Sequence, residues 1–277
     1  MNRVLLPKNL SELWSCLEDE PEAKVYAGGT DLLVRMRARY ENNYALICME
    51  RITELTGVRE DETSFRIGAC TTFSDLLTHP QIREHFPVLT KALSTLGSPP
   101  IRNMGTIGGN ICTASPAGDT LPPLYVLDAD LILSTQAGER VIPLSAFITA
   151  PGKTRLEKGE ILSGIRVKKP GGYQIQHFEK VGQRKALACA IASMAALVKT
   201  SPKGVIESAR IAWGSVGPTV VMSPDVEAAL IGRTLSPATL KAAAELAGKA
   251  LSPIDDIRAT AAYRSRVAGN LLLRIGT

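Results

Sequence analysis

Leu10, Leu13, Trp14 and Leu17 recur at helical spacing, so the chain opens on an amphipathic helix. Asn9 stands at its cap with Glu12 three residues on, a capping box, and Pro21 ends it. Shorter apolar runs follow. Residues 24–27 predict a strand, a helix begins at Leu32, residues 45–49 a buried strand and residues 64–69 a half-buried one. Residues 72–77 and 87–96 predict helices, and Gly97, Pro99 and Pro100 then break the chain. A helix at 121–127 is followed by strands at 130–134, 140–143 and 160–167. Residues 168–172, Lys-Lys-Pro-Gly-Gly, are the clearest linker signal, and the main boundary is placed there. Beyond it, residues 173–181, 189–198 and 207–216 read as a three-stranded antiparallel meander. Helices at 223–230, 236–251 and 257–273 come after it. Strands followed by helices make this part a small α+β domain.

Two stretches do not fit the apolar periodicities. The first is Gly28-Gly29-Thr30-Asp31, between a strand and a helix start, the form of an anion site at a helix N-terminus or of an ordinary strand-to-helix turn. The second is residues 105–119, where Gly105, Gly108 and Gly109 stand among small polar residues. A core strand would not spend so many glycines. The stretch reads as backbone laid against a ligand, with bare N–H groups facing it, or as a glycine-rich turn between sheets. Neither stretch has the G-x-G-x-x-G dinucleotide pattern or the lysine of a P-loop.

Charge and composition narrow the classes. The net charge of +5 over 277 residues is mild, and no basic run interleaved with aromatics suggests nucleic acid. No apolar stretch reaches membrane-spanning length and the N-terminal apolar run is too short for a secretory signal, so the expectation is a cytoplasmic protein with no membrane insertion. Cys16, Cys48, Cys70, Cys112 and Cys189 are widely spaced, and His79, His85 and His177 make no pair at helical spacing. No metal or cluster site is therefore expected in this chain. Ser215 follows Trp213-Gly214 and lacks the first glycine of a nucleophile elbow. The pairs Asp128/Asp130 and Asp255/Asp256 read as solvated caps. No catalytic residue is assigned, and the glycine stretches point to a phosphate-bearing cofactor that brings its own chemistry.

The segments 27–33 (Ala-Gly-Gly-Thr-Asp-Leu-Leu) and 106–111 (Thr-Ile-Gly-Gly-Asn-Ile), with Ala114-Ser115-Pro116 and Asp119, resemble the FAD-binding medium subunit of the molybdenum hydroxylases, the xanthine dehydrogenase, aldehyde oxidoreductase and carbon monoxide dehydrogenase family. Tyr263-Arg264 and the closing Leu271-Leu272-Leu273-Arg274 resemble its C-terminal helix. The resemblance implies a PCMH-type FAD-binding domain over residues 1–171, in two α/β subdomains of about 1–57 and 58–171. It implies a carbon monoxide dehydrogenase flavoprotein-like domain over 172–277. It places the FAD pyrophosphate at Ala27, Gly28, Gly29, Thr30, Asp31 and Leu32 together with Thr106, Ile107, Gly108, Gly109 and Asn110. It adds Asp119, Leu162 and Lys180 as cofactor-contacting residues. Leu96 stands where animal xanthine dehydrogenases have an aromatic residue, and no histidine or cysteine lies in the first loop to attach a flavin, so FAD is expected to be noncovalent.

The function so implied is electron transfer. Electrons come from a 2Fe-2S subunit fed by a molybdopterin catalytic subunit and leave to NAD, oxygen or a quinone-like acceptor. The segment Arg184-Lys185-Ala186-Leu187-Ala188 carries no carboxylate where the NAD-dependent animal enzymes have one. The rival is a free-standing FAD-dependent reductase of the same superfamily.

Overall fold

The computed structural model describes residues 3–39 and 44–275; Met1 and Asn2 of the N-terminal run and the closing Gly276 and Thr277 lie outside them. Three larger sheets and one two-stranded pair, Ile148–Ala150 with Lys153–Thr154, are found among the described residues. The first is parallel, with Ala45–Cys48 between Arg3–Leu5 and Lys24–Tyr26. Parallel neighbours need crossovers, and the helices Leu10–Asp19 and Leu32–Ala38 supply them. The first helix starts where the capping box predicts: Asn9 Oδ1 accepts from the Glu12 N–H at 2.8 Å. Glu12 reaches back one residue further than the box requires, to the Lys8 N–H at 2.8 Å. Leu13, Ile47, Ile52 and Leu55 fill the space beneath.

The second sheet is antiparallel and five-stranded, in the order Val58–Glu60, Ser64–Gly68, Ile161–Lys168, Asp130–Thr135, Gly138–Pro143. Its central strand arrives late in the chain, so everything between Gly68 and Asp130 is an excursion from one sheet. That excursion is helical, and it holds most of the glycine-rich stretch. Two of its helices, Pro80–His85 and Pro99–Met104, stand where prolines suggest breaks. Proline at the first helical turn loses only an N–H that has no partner there anyway. The helix Pro99–Met104 is capped by Ser98, whose hydroxyl accepts from the Ile101 N–H.

The third sheet runs Ile175–Val181, Ala192–Thr200, Ile206–Gly214, Val221–Met222, all antiparallel. It has four strands where three are expected. Val221–Met222 pairs with Ala212 and Trp213, and two residues are too short to carry an alternation signal. Both faces of the sheet are covered. Ala192, Met194, Ala196 and Val198 pack toward the helices Pro224–Leu230, Pro237–Ala250 and Ala261–Leu271. Ala195, Leu197 and Phe178 pack toward Leu89 and Tyr125 of the excursion. The last helix starts at Ala261, four residues after the expected start, because Asp256 first ties a turn by accepting from the Arg258 and Ala259 N–H groups. Among the described residues no helix is long and apolar enough to cross a membrane, and no group of three or more His, Cys, Asp or Glu could hold a metal.

Candidate functional site

The segments 27–32 and 105–113 are remote in sequence and face each other across one cleft of about 360 Å³. Ala27, Gly28, Gly29, Thr30, Asp31 and Leu32 line one side, with Thr106, Gly109 and Asn110 opposite. A Cβ on Gly28 would sit 1.6 Å from the Met104 carbonyl oxygen, so only glycine lets the first loop close against the helix Pro99–Met104. A Thr113 hydroxyl 3.0 Å from Asp31 Oδ2 ties the two sides together, and Arg35 pairs with the same carboxylate at 2.9 Å.

The two loops differ in what they offer a ligand. Residues 107–113 form a helix, Ile107–Thr113, and its first N–H groups are all occupied. Ile107 N–H donates to Thr71 O at 3.1 Å, Gly108 N–H to Ala69 O at 2.9 Å, Gly109 N–H to the capping Thr106 Oγ1 at 3.1 Å and Asn110 N–H to Thr106 O at 3.0 Å. The expectation of bare N–H groups along this stretch is therefore corrected: it is a capped helix that shows a smooth face. Among the described residues, the first loop is different: the backbone N–H groups of Gly28, Gly29, Thr30 and Asp31 have no acceptor, and neither does that of Leu32. The residues that carry them line the cleft, and free backbone donors suit an anion.

A second cleft of about 370 Å³ adjoins the first, sharing Leu96, Ile101 and Asn110. Asp119 lines it together with Ser115, Gly118 and the lip Leu187-Ala188-Cys189. Asp119 is buried, and its Oδ2 meets Lys180 Nζ at 2.6 Å while its Oδ1 has no partner. Burial pushes the Asp119 carboxyl up from the ordinary carboxylate range, and Lys180 opposes that rise. The Thr120 hydroxyl donates to Asn110 Oδ1 at 2.6 Å and so fixes a side chain that lines both clefts.

Not every expected residue reaches a cleft. Ile107 is fully buried. Gly108 lies against Ala69, where an added Cβ would come within 2.6 Å of the Ala69 Cβ. Leu162 is buried in the core at a bulge beside Leu133. None of these three lines either cleft. Nor does Lys180, whose side chain is 7% exposed. Sequence reasoning missed Tyr26, Phe73, Ile101 and Cys112 as lining residues. Phe73 comes to Gly105 only through the fold, and Ile101 stands in a helix that the Pro99-Pro100 pair hides. Cys112 carried no signal, and burial pushes its thiol up to about 12. Arg184 turns onto its own loop, donating from Nε to Ala186 O at 3.0 Å and from Nη2 to Leu187 O at 2.7 Å.

A dinucleotide cofactor fits these residues. The free donors of 28–31 suit a pyrophosphate, Gly109 leaves room for close approach, and the unpartnered Asp119 Oδ1 is a buried acceptor waiting for a donor.

Residues 1–170 match the family described as the FAD binding domain in molybdopterin dehydrogenase, and residues 177–276 match the carbon monoxide dehydrogenase flavoprotein C-terminal domain. The nicotinate dehydrogenase FAD-subunit of Eubacterium barkeri is 36% identical over 242 residues, covering 85% of this chain and 81% of that one. The carbon monoxide dehydrogenase medium chain of Hydrogenophaga pseudoflava is 31% identical, covering 97% of this chain and 93% of its own. A solved structure of carbon monoxide dehydrogenase from that organism superposes with a TM-score of 0.92 at 31% identity, over 99% of this chain and 95% of that one. With both of its halves matched, the chain belongs to the FAD-binding medium-subunit family of the molybdenum hydroxylases, and it is an oxidoreductase flavoprotein.

Proposed function

We propose that this chain accepts electrons from a 2Fe-2S partner subunit, itself supplied by a molybdopterin catalytic subunit, and delivers them to an external acceptor. When bound, FAD supplies the exchange of one or two electrons that such a relay needs. The chain's own residues bind and orient it. The observation that carries the reading is the meeting of the two glycine segments at one cleft, one of them bringing backbone N–H groups that have no acceptor among the described residues.

Gly28, Gly29, Thr30 and Asp31 hold the pyrophosphate through their N–H groups, with Ala27 and Leu32 at the ends of that loop. Thr106 caps the opposite helix, Gly109 permits the approach, and Asn110 and Asp119 supply side-chain hydrogen bonds deeper in. Leu96 and Ile101 make the apolar wall common to both clefts and exclude water there. Cofactor attachment is noncovalent, since the first loop, residues 27–32, offers no histidine or cysteine to a flavin. A cofactor-binding domain of residues 1–171, with subdomains of about 1–57 and 58–171, and a second domain of 172–277 account for this placement of the cleft.

The test is purification of the chain from its source. The expected result is a yellow complex with two further subunits, whose FAD is released intact on denaturation. A colourless chain, flavin that stays on the denatured polypeptide, or a yellow chain without partners would each overturn the corresponding part.

A further inference from the structure

Lys180 lies on the strand Ile175–Val181, and its ammonium group has three protons to donate. Three acceptors take them: Asp119 Oδ2 at 2.6 Å, Thr95 O at 2.8 Å and Ala188 O at 3.3 Å. Thr95 ends the helix Pro87–Thr95, and Ala188 belongs to the lip of the second cleft. The ammonium therefore joins three elements and keeps no donor for a ligand. The unsatisfied atom on the cleft side is Asp119 Oδ1.

We propose that Lys180 is a positioning residue and not a cofactor contact: it neutralises Asp119 from behind and aims Oδ1 into the second cleft as the acceptor for a hydrogen-bond donor of FAD. This rests on the cofactor site proposed above. An unpaired carboxylate buried at this depth takes up a proton, and a protonated Asp119 can no longer offer two acceptor oxygens. With Lys180 in place the pair is neutral as a unit while the carboxylate stays ionised. Among the described residues Lys180 is the one charged group acting on Asp119. The other polar groups lining that cleft are the Asn110 amide, the Ser98 and Ser115 hydroxyls and the Cys189 thiol, of which the thiol is the one titratable group.

The test is a double-mutant cycle on FAD affinity, read by flavin fluorescence during titration of the full chain from pH 6 to pH 9. Lys180→Met, Asp119→Asn and the double variant are compared with the original chain. If Lys180 acts through Asp119, Lys180→Met weakens FAD binding by about tenfold or more. The loss is deepest at the acid end and eases as pH rises, because the unneutralised carboxylate regains its ionised acceptor form as protons become scarcer. In the Asp119→Asn background, where no carboxylate remains to neutralise, the same substitution changes affinity by less than about threefold and the pH dependence vanishes. Equal losses in both backgrounds, or no loss in either, overturn the inference. If Lys180→Met alone does not fold, the comparison within the Asp119→Asn background decides, since neither partner charge remains in the double variant. A tenfold difference there means direct contact. Gly109→Val serves as the control for the site itself: normal FAD affinity in that variant overturns the site, whereas an additive cycle beside a defective Gly109→Val overturns only the role of Lys180.

Discussion

Gly108 and Gly109 are adjacent, and their surroundings give them different work. A Cβ on Gly109 meets one atom, the Thr106 hydroxyl oxygen at 2.9 Å, and otherwise projects into the cleft. Gly109→Val should leave the fold within about 1 kcal/mol, the scale of a disturbed helix cap, and abolish FAD retention. A Cβ on Gly108 would lie 2.7 Å from the Ala69 carbonyl oxygen as well as against its Cβ. Gly108→Ala should therefore cost about 1–3 kcal/mol of stability through overpacking. Thermal melts with and without added FAD separate the two, and full flavin content in Gly109→Val would sink the assignment. Both glycines were visible in the sequence as members of one motif. Their division of labour was not, because it depends on which helix face meets Ala69, and Ala69 follows a strand of a different sheet element.

At the scale of elements, the strongly periodic segments and the capped ones were legible. Asn9, Thr72, Ser223 and Ser236 each cap a helix that begins where the sequence places it. What escaped were elements whose local signal points elsewhere. Pro99-Pro100 looks like a break and is a helix start; the glycine-rich stretch reads as ligand-facing backbone or a turn, and residues 107–113 of it are a helix, with Thr106 as the overlooked cap. The turn between Val58–Glu60 and Ser64–Gly68 offers a test of how much one side chain contributes to an element. Asp61 accepts from the Ser64 hydroxyl at 2.6 Å and from the Thr63 and Ser64 N–H groups at 2.9 and 2.7 Å. These bonds, led by the Ser64 hydroxyl, hold its carboxyl down at about 2. A carboxylate whose pKa is lower folded than unfolded stabilises the fold above its unfolded pKa, and that contribution fades as pH falls toward the folded value. Acid melts of the original chain should thus lose a component between about pH 4 and pH 2 that Asp61→Ala lacks. Parallel acid profiles for the two chains would show that the turn holds without it.

Across the whole molecule, one buried cation ties the last helix to the third sheet. Arg264 is 3% exposed, donates to Ile191 O at 2.8 Å and Ser215 O at 3.2 Å, and pairs with Asp256 at 2.7 Å. Arg264→Met should destabilise the chain by about 3 kcal/mol, since two buried carbonyls lose a charged donor. A denaturant midpoint unchanged from the original would show that the helix is held by its apolar face alone. The same scale decides where electrons go. Nicotinamide must lie face-on at the flavin, with its own phosphates gripped nearby. The loop beside the second cleft is the natural grip, but the Arg184 guanidinium is already committed to Ala186 O and Leu187 O. Lys185 is left as the one further cation of that segment, and no carboxylate lies between Arg184 and Ala188. A dinucleotide would find little to hold it there, whereas a compact acceptor that needs only edge access to the cleft loses nothing. Purified complex, assayed with its substrate at matched acceptor concentrations, should therefore turn over faster with an artificial or quinone-like acceptor than with NAD⁺. Faster turnover with NAD⁺ would mean that a partner subunit, or a rearranged Arg184, supplies the grip.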